Sequence, residues 1–164
     1  MKTIILNNDQ IQHKINRIAY QIYESNYEEK SIVLAGIKGN GFQLAKAIKE
    51  NIESICTLKV ILCEISINKK NPLDTITSSI DFHVIKNQSV ILVDDVLNTG
   101  KTLIYGVAYF LQVPLKQFKT VVLIDRNHKK YPVKADFKGL SLSTSALEHI
   151  SIEISDGDFN AYLN

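Results

Sequence analysis

Asp94 and Asp95 follow a run of four apolar residues, Val90 to Val93, and are followed within a few positions by Asn98-Thr99-Gly100-Lys101-Thr102. The order of parts predicts a ribose-phosphate site. An apolar run of that kind is a strand buried on both faces, and the carboxyl end of such a strand is where open α/β sheets bind ligands. Adjacent carboxylates there accept hydrogen bonds from a vicinal diol. The loop after them supplies backbone N–H groups, two hydroxyls and the start of a helix, which together suit a phosphate ester. Diol and phosphate are the two ends of ribose 5-phosphate.

Two other phosphate chemistries fail on spacing or position. A Walker-type loop needs a glycine where this chain has Asp95, so Thr-Gly-Lys-Thr is only the tail of that pattern. A phospho-acceptor receiver domain carries its acidic pair on the first strand, whereas here the pair lies past mid-chain. A capped acidic turn would account for Asp-Asp and for the threonines separately, but not for their order.

A second anion loop lies upstream. Gly36-Ile37-Lys38-Gly39-Asn40-Gly41 joins a strand at Ser31 to Ile37 to a helix at Phe42 to Ile52, and its glycines allow close backbone approach to an anion at a helix start. The glycines are spaced in the reverse of the dinucleotide-binding fingerprint, which argues against a dinucleotide.

The segment from Asp94 to Thr102 resembles the phosphoribosyl-pyrophosphate (PRPP) motif of the type I phosphoribosyltransferases. That resemblance implies an α/β fold in which a central parallel sheet is flanked by helices and topped by a small antiparallel hood. It further implies that Asp94 and Asp95 hold the ribose hydroxyls and, through water, magnesium. Val96 and Leu97 would belong with them to the PRPP-binding segment, and Asn98, Thr99, Gly100, Lys101 and Thr102 would wrap the 5-phosphate. Lys38, Gly39, Asn40 and Gly41 would bind pyrophosphate.

A finer likeness covers nearly the whole chain. Asp125-Arg126-Asn127-His128, Asp136-Phe137-Lys138-Gly139 and Ser143-Thr144-Ser145 are similar to segments of the pyrimidine-operon attenuators that are also uracil phosphoribosyltransferases. Asn16-Arg17-Ile18-Ala19, Gly36-Ile37-Lys38 and Asp156-Gly157-Asp158 extend the match. The resemblance implies that Arg126 reaches toward the base or pyrophosphate, and that Phe137 stacks on the base with the Lys138 backbone at its edge. Phe137 read from its own surroundings is equally a core aromatic.

The likeness implies Mg-PRPP and uracil as substrates, a homodimer, and a nucleotide-sensing, RNA-binding regulator as the rival role. Lys14, Arg17, Lys46 and Lys49 are candidates for a basic RNA-facing surface. Hypoxanthine- and guanine-using relatives share Lys101 and the Asp-Phe-x-Gly segment. They place an aspartate where this chain has Asn98, and an amide cannot take a proton from a purine. Asn40 stands where the attenuators have an arginine, and Asn98 where they have a tyrosine. The first change weakens the hold on leaving pyrophosphate unless Lys38, Lys69 or Lys70 compensates.

These residues need a scaffold, and the rest of the chain predicts one. With 164 residues, 45% hydrophobic and 22% charged, the sequence is ordinary globular material sized for one domain, residues 1–164. A net charge of +2 does not by itself imply nucleic acid. Cys56 and Cys63 lack metal or disulfide spacing. The absence of a signal-like segment or an apolar stretch near the ~18 residues of a membrane span places the chain in the cytoplasm.

Ile11, Ile15, Ile18, Ala19 and Ile22 recur at helical spacing up to Asn26, and strands follow at Leu58 to Ile67, Ser89 to Val93 and Phe118 to Asp125, with a helix from Gly100 to Val113. Alternating strands and helices predict parallel βαβ units. Asn68, Lys69 and Lys70 open a polar stretch to Ser79 that reads as a long flexible loop, a candidate lid. Residues 126–164 read as a small antiparallel subdomain.

Overall fold

The computed structural model describes residues 1–164. In chain order the elements are β1 Thr3–Leu6, α1 Asn8–Ser25, β2 Ser31–Ile37, α2 Asn40–Ile55, β3 Lys59–Ser66, β4 Thr77–Ser78, α3 Phe82–Ile85, β5 Ser89–Leu97, α4 Lys101–Phe110, β6 Gln117–Asp125, β7 Phe137–Ser141, β8 Ile150–Ser155 and β9 Asp158–Leu163. They form a six-stranded sheet ordered β4-β3-β2-β5-β6-β7 and a three-stranded sheet ordered β1-β9-β8. No helix is long and apolar enough to cross a membrane.

The central strands are apolar throughout because both faces are covered. On β2, Ile32 and Leu34 face a core shared with α1, α2 and the smaller sheet, while Val33, Ala35 and Ile37 face the core beneath α4. The side-chain period of two therefore divides one continuous apolar run between two cores. β2 pairs in parallel with both β3 and β5, and β5 pairs in parallel with β6.

α1 starts at a reciprocal cap. Asn7 Oδ1 accepts from Gln10 N at 2.9 Å, and Gln10 Oε1 accepts from Asn7 N at 2.9 Å. The helix buries Ile11, Ile15, Ile18, Ala19 and Ile22 completely. It stops at Asn26, whose side chain donates to Ile22 O at 2.8 Å and accepts from Ser89 Oγ at 2.6 Å. That pairing ties the helix end to the start of β5, so the strand carrying the acidic pair is anchored at its far end.

The predicted helices and parallel strands are present, with four differences. β5 runs to Leu97 rather than Val93, so Asp94 and Asp95 lie within the paired strand. The polar stretch after Asn68 contains β4, which pairs antiparallel with β3 through Ile65↔Ser78. The sheet is therefore mostly, not wholly, parallel. Residues 126–164 are not one antiparallel unit, because Phe137–Ser141 joins the large sheet as parallel strand β7, with Val121↔Phe137 and Asp125↔Ser141. The antiparallel sheet instead recruits the N-terminus, with Thr3↔Leu163 joining β1 to β9.

Candidate active site

The carboxyl ends of β2 and β5 lie beside each other, and the loops that follow meet there. The contact is close enough to exclude a side chain. A Cβ on Gly41 would sit 2.9 Å from Val93 O and 3.1 Å from Asp94 Oδ1. Gly41 thus lets the start of α2 rest against the acidic strand. Both flanking helices also begin at a glycine that offers no capping side chain, Gly39 (φ 99°) and Gly100 (φ 86°), and of their first N–H groups that of Lys101 is donated to Thr99 Oγ1 at 3.3 Å.

Asp94, Asp95 and every residue from Val96 to Thr102 line one cavity of about 510 Å³. Asn40, Lys69 and Arg126 line it as well, and the residues from His149 to Ile152 close it from the smaller sheet. Sequence reasoning missed those four. They carry no motif, and only the pairing of β8 with β9 brings them over the loop.

Asp94 is 4% exposed. Burial, and then the neighbouring charge of Asp95, push its carboxyl up to about 7, against the pull of Lys69 and of the Asp95 N–H. Lys69 Nζ stands 3.6 Å from Asp94 Oδ1. Asp95 is held from two sides: Oδ1 accepts from Val96 N at 2.8 Å and Oδ2 from Asn40 Nδ2 at 3.1 Å. Asn40 also donates to Ile152 O at 2.9 Å, which joins the upstream loop to the smaller sheet.

The remaining candidates divide. Of the upstream loop only Asn40 reaches the cavity, and the Lys38 N–H is already donated to Ile65 O at 2.8 Å. Asn68 folds its own turn, accepting from Lys70 N at 3.0 Å and donating to Asp74 at 2.7 Å, which leaves Lys69 as the lysine that faces the acidic pair. Lys70 does not line the cavity.

Arg126 is 3% exposed, and protein atoms take up its guanidinium. Nε donates to Thr144 Oγ1 at 2.9 Å and Nη1 to Asn98 Oδ1 at 2.9 Å. Nη2 donates to the carbonyls of Ser145 and Glu148, at 3.2 and 2.6 Å. Phe137 packs against the larger core, and neither it nor Lys138 lines the cavity. The Lys138 carbonyl accepts from Arg17 at 3.1 Å, and its ammonium lies 3.5 Å from Asp125.

The sequence matches the phosphoribosyl transferase domain over residues 2–155. The chain belongs to the phosphoribosyltransferase family. It is 35% identical over 169 residues to the bifunctional protein PyrR of Bacillus subtilis, covering 97% of this chain and 93% of that protein. Against the bifunctional protein PyrR of Clostridium kluyveri the identity is 35% over 175 residues, covering 96% and 93%.

Among solved structures, the hypoxanthine phosphoribosyltransferase of Trypanosoma cruzi superposes with a TM-score of 0.77 at 18% identity, covering 97% of this chain and 95% of that one. The fold is therefore that of the type I phosphoribosyltransferases, and the smaller sheet is its hood. At 18% identity this likeness to a purine-named enzyme carries the fold and not the substrate.

Proposed function

We propose that this phosphoribosyltransferase transfers the phosphoribosyl group of Mg-PRPP to uracil, giving UMP and pyrophosphate. The observation that carries the reading is the shared cavity, where the buried Asp94, its half-buried neighbour Asp95 and the glycine-started helix α4 are roofed by the hood and the loop opens on the amide of Asn98.

The donor set fits magnesium in one particular way. Protein oxygens near the cavity are few: Asp95 already accepts from Asn40 and Val96, and no group of three or more His, Cys, Asp or Glu residues is present. A hard cation with near-octahedral demands would take most of its ligands from substrate oxygens and water, with Asp94 and Asp95 as its protein neighbours. When bound, magnesium neutralises charge on the departing pyrophosphate.

Uracil N1 attacks the anomeric carbon as the bond to pyrophosphate breaks, positive charge develops on the ribose ring, and the N1 proton passes to water. Asp94 and Asp95 accept from the ribose hydroxyls and stabilise that charge. The backbone of the loop from Asn98 to Thr102 and the start of α4 hold the 5-phosphate, leaving the Asn98 side chain off the phosphate. Lys69 lies where the lid meets the acidic pair, so lid closure brings a cation to the reacting groups and keeps water from hydrolysing PRPP.

The test is incubation with Mg-PRPP and a panel of bases, following nucleotide and pyrophosphate. Uracil turnover abolished in Asp95→Asn supports the reading, and turnover of hypoxanthine or guanine alone overturns its choice of base.

A second reading, a nucleotide-sensing RNA-binding regulator, is favoured by an open depression on α1 lined by Gln10, His13, Lys14 and Arg17. Lys46 and Lys49 contribute less to such a surface. Lys46 lies 5.2 Å from the Phe42 ring centre and Lys49 pairs with Glu53 at 2.5 Å. RNA binding that weakens steeply with salt supports this role. The reading includes a homodimer in the cytoplasm, and sedimentation equilibrium checks the dimer.

A further inference from the structure

Asn98 has one half of its amide committed and the other half free. Its Oδ1 accepts from Arg126 Nη1 at 2.9 Å, while Nδ2 donates to no protein atom. The residue is exposed and lines the cavity. The orientation is chemically determined, because a guanidinium has five donors and no acceptor. Turning the amide over would set its amino group against Arg126, donor against donor. Arg126 in turn cannot swing away. Its other nitrogens are held by Thr144, Ser145 and Glu148, and the side chain is 3% exposed.

We infer that Arg126 is a positioning residue that locks the Asn98 amide with its amino group toward the base, making Asn98 a donor-only specificity element for bases that present a carbonyl oxygen there. The assignment rests on the reading of the cavity as a phosphoribosyl-transfer site. A pyrimidine with a carbonyl beside the glycosylated nitrogen satisfies the free N–H groups. A base presenting an N–H at that point meets a donor and finds no group to take its proton. The loop from Thr144 to Glu148, between β7 and β8, thereby acts on base choice without touching the base, through Arg126.

Equilibrium titrations with UMP and with ribose 5-phosphate test this on the full chain. Ribose 5-phosphate shares the sugar and phosphate but lacks the base. In wild type, UMP binds more tightly than ribose 5-phosphate. Asn98→Leu removes the donor and weakens UMP roughly tenfold, and Asn98→Asp, which turns an acceptor toward a carbonyl, weakens it further. Ribose 5-phosphate binding stays within about twofold in both. Arg126→Gln frees the amide to rotate, weakening UMP severalfold with the same indifference to ribose 5-phosphate; should that variant not fold, the two Asn98 variants decide.

Equal losses for UMP and ribose 5-phosphate would place the amide on the phosphate and overturn the assignment. So would Asn98→Asp binding UMP as well as wild type, or wild type binding UMP no more tightly than ribose 5-phosphate. If the expected pattern holds but no base is turned over with Mg-PRPP, the specificity element stands and the transferase reading falls.

Discussion

Asn40 Nδ2 donates to Asp95 Oδ2 at 3.1 Å and to Ile152 O at 2.9 Å, so one carboxamide fixes the second carboxylate of the acidic pair and fastens it to the hood. A residue that departs from the attenuator pattern is therefore built into the site rather than missing from it. Both contacts of its short side chain are to protein oxygens.

Asn40→Ala should release both contacts, and two lost hydrogen bonds to partly buried acceptors amount to about 1–3 kcal/mol. The expected outcome is a roughly tenfold rise in KM for PRPP with a smaller loss in kcat, read by steady-state kinetics. Asn40→Asp adds a like charge beside Asp95 and should be worse than alanine. A KM for PRPP unchanged in both variants would show that the link to Asp95 does not matter for binding.

Asp94 predicts a pH dependence in the ligand-free, metal-free protein. Its carboxyl is raised from 3.8 to about 7, first by burial and then by Asp95. Between those values the folded state holds the proton that the unfolded state releases, so stability from this group is complete below pH 3.8 and declines as pH rises toward 7. Asp94→Asn keeps the shape and removes the charge. At pH 8 the variant's Tm should exceed wild type by about 2–5 °C, with the gap closing near pH 4. Thermal melts across this range check it, and a constant gap would refute the assignment. The same variant should lose PRPP binding.

Lys69 is the residue of the loop after β3 that meets the acidic pair, but its side chain is 53% exposed. Lys69→Ala should leave Tm within about 1 °C of wild type, because exposed ion pairs contribute little. Its effect should fall on the reaction instead. A loss of roughly tenfold or more in kcat/KM is expected, steeper at low salt. Lys70→Ala, outside the cavity, should change neither.

Gly41→Ala tests the close approach of the two loops. The added methyl would lie 2.9 Å from Val93 O and 3.1 Å from Asp94 Oδ1, so the helix start must move. A loss of about 1–3 kcal/mol in stability by urea unfolding is expected, together with weaker PRPP binding. Gly39→Ala has open space for its methyl but meets a φ of 99°, so strain alone operates there. The Gly39 variant should lose stability without displacing Asp94.

The elements that local pattern could reveal were those whose signal lies within one stretch of chain. The Ile11-Ile15-Ile18-Ile22 stripe of α1 and the continuous apolar runs of β2 and β6 state their own type and burial. The acidic pair and the Thr-Gly-Lys-Thr loop did the same for the cavity, because the residues from Asp94 to Thr102 that line it are adjacent in sequence. β4, at two residues, is too short to carry a period. Phe137–Ser141 reads locally as any strand, and its parallel pairing with β6 is a property of the partner.

Sequence alone determined the family resemblance and the alternating α/β order, since each depends on neighbours along the chain. Tertiary structure decided what distant residues do to one another. It set β1 against β9 across the length of the chain, lowered His149 to Ile152 over the cavity, and chose Lys69 over Lys70 to face Asp94. It also brought the Arg126 guanidinium, at the cavity wall, to 2.9 Å from Asn98 Oδ1. The physical reason is that a side chain's type limits which hydrogen bonds it can make, but only packing decides which partner comes within 3 Å.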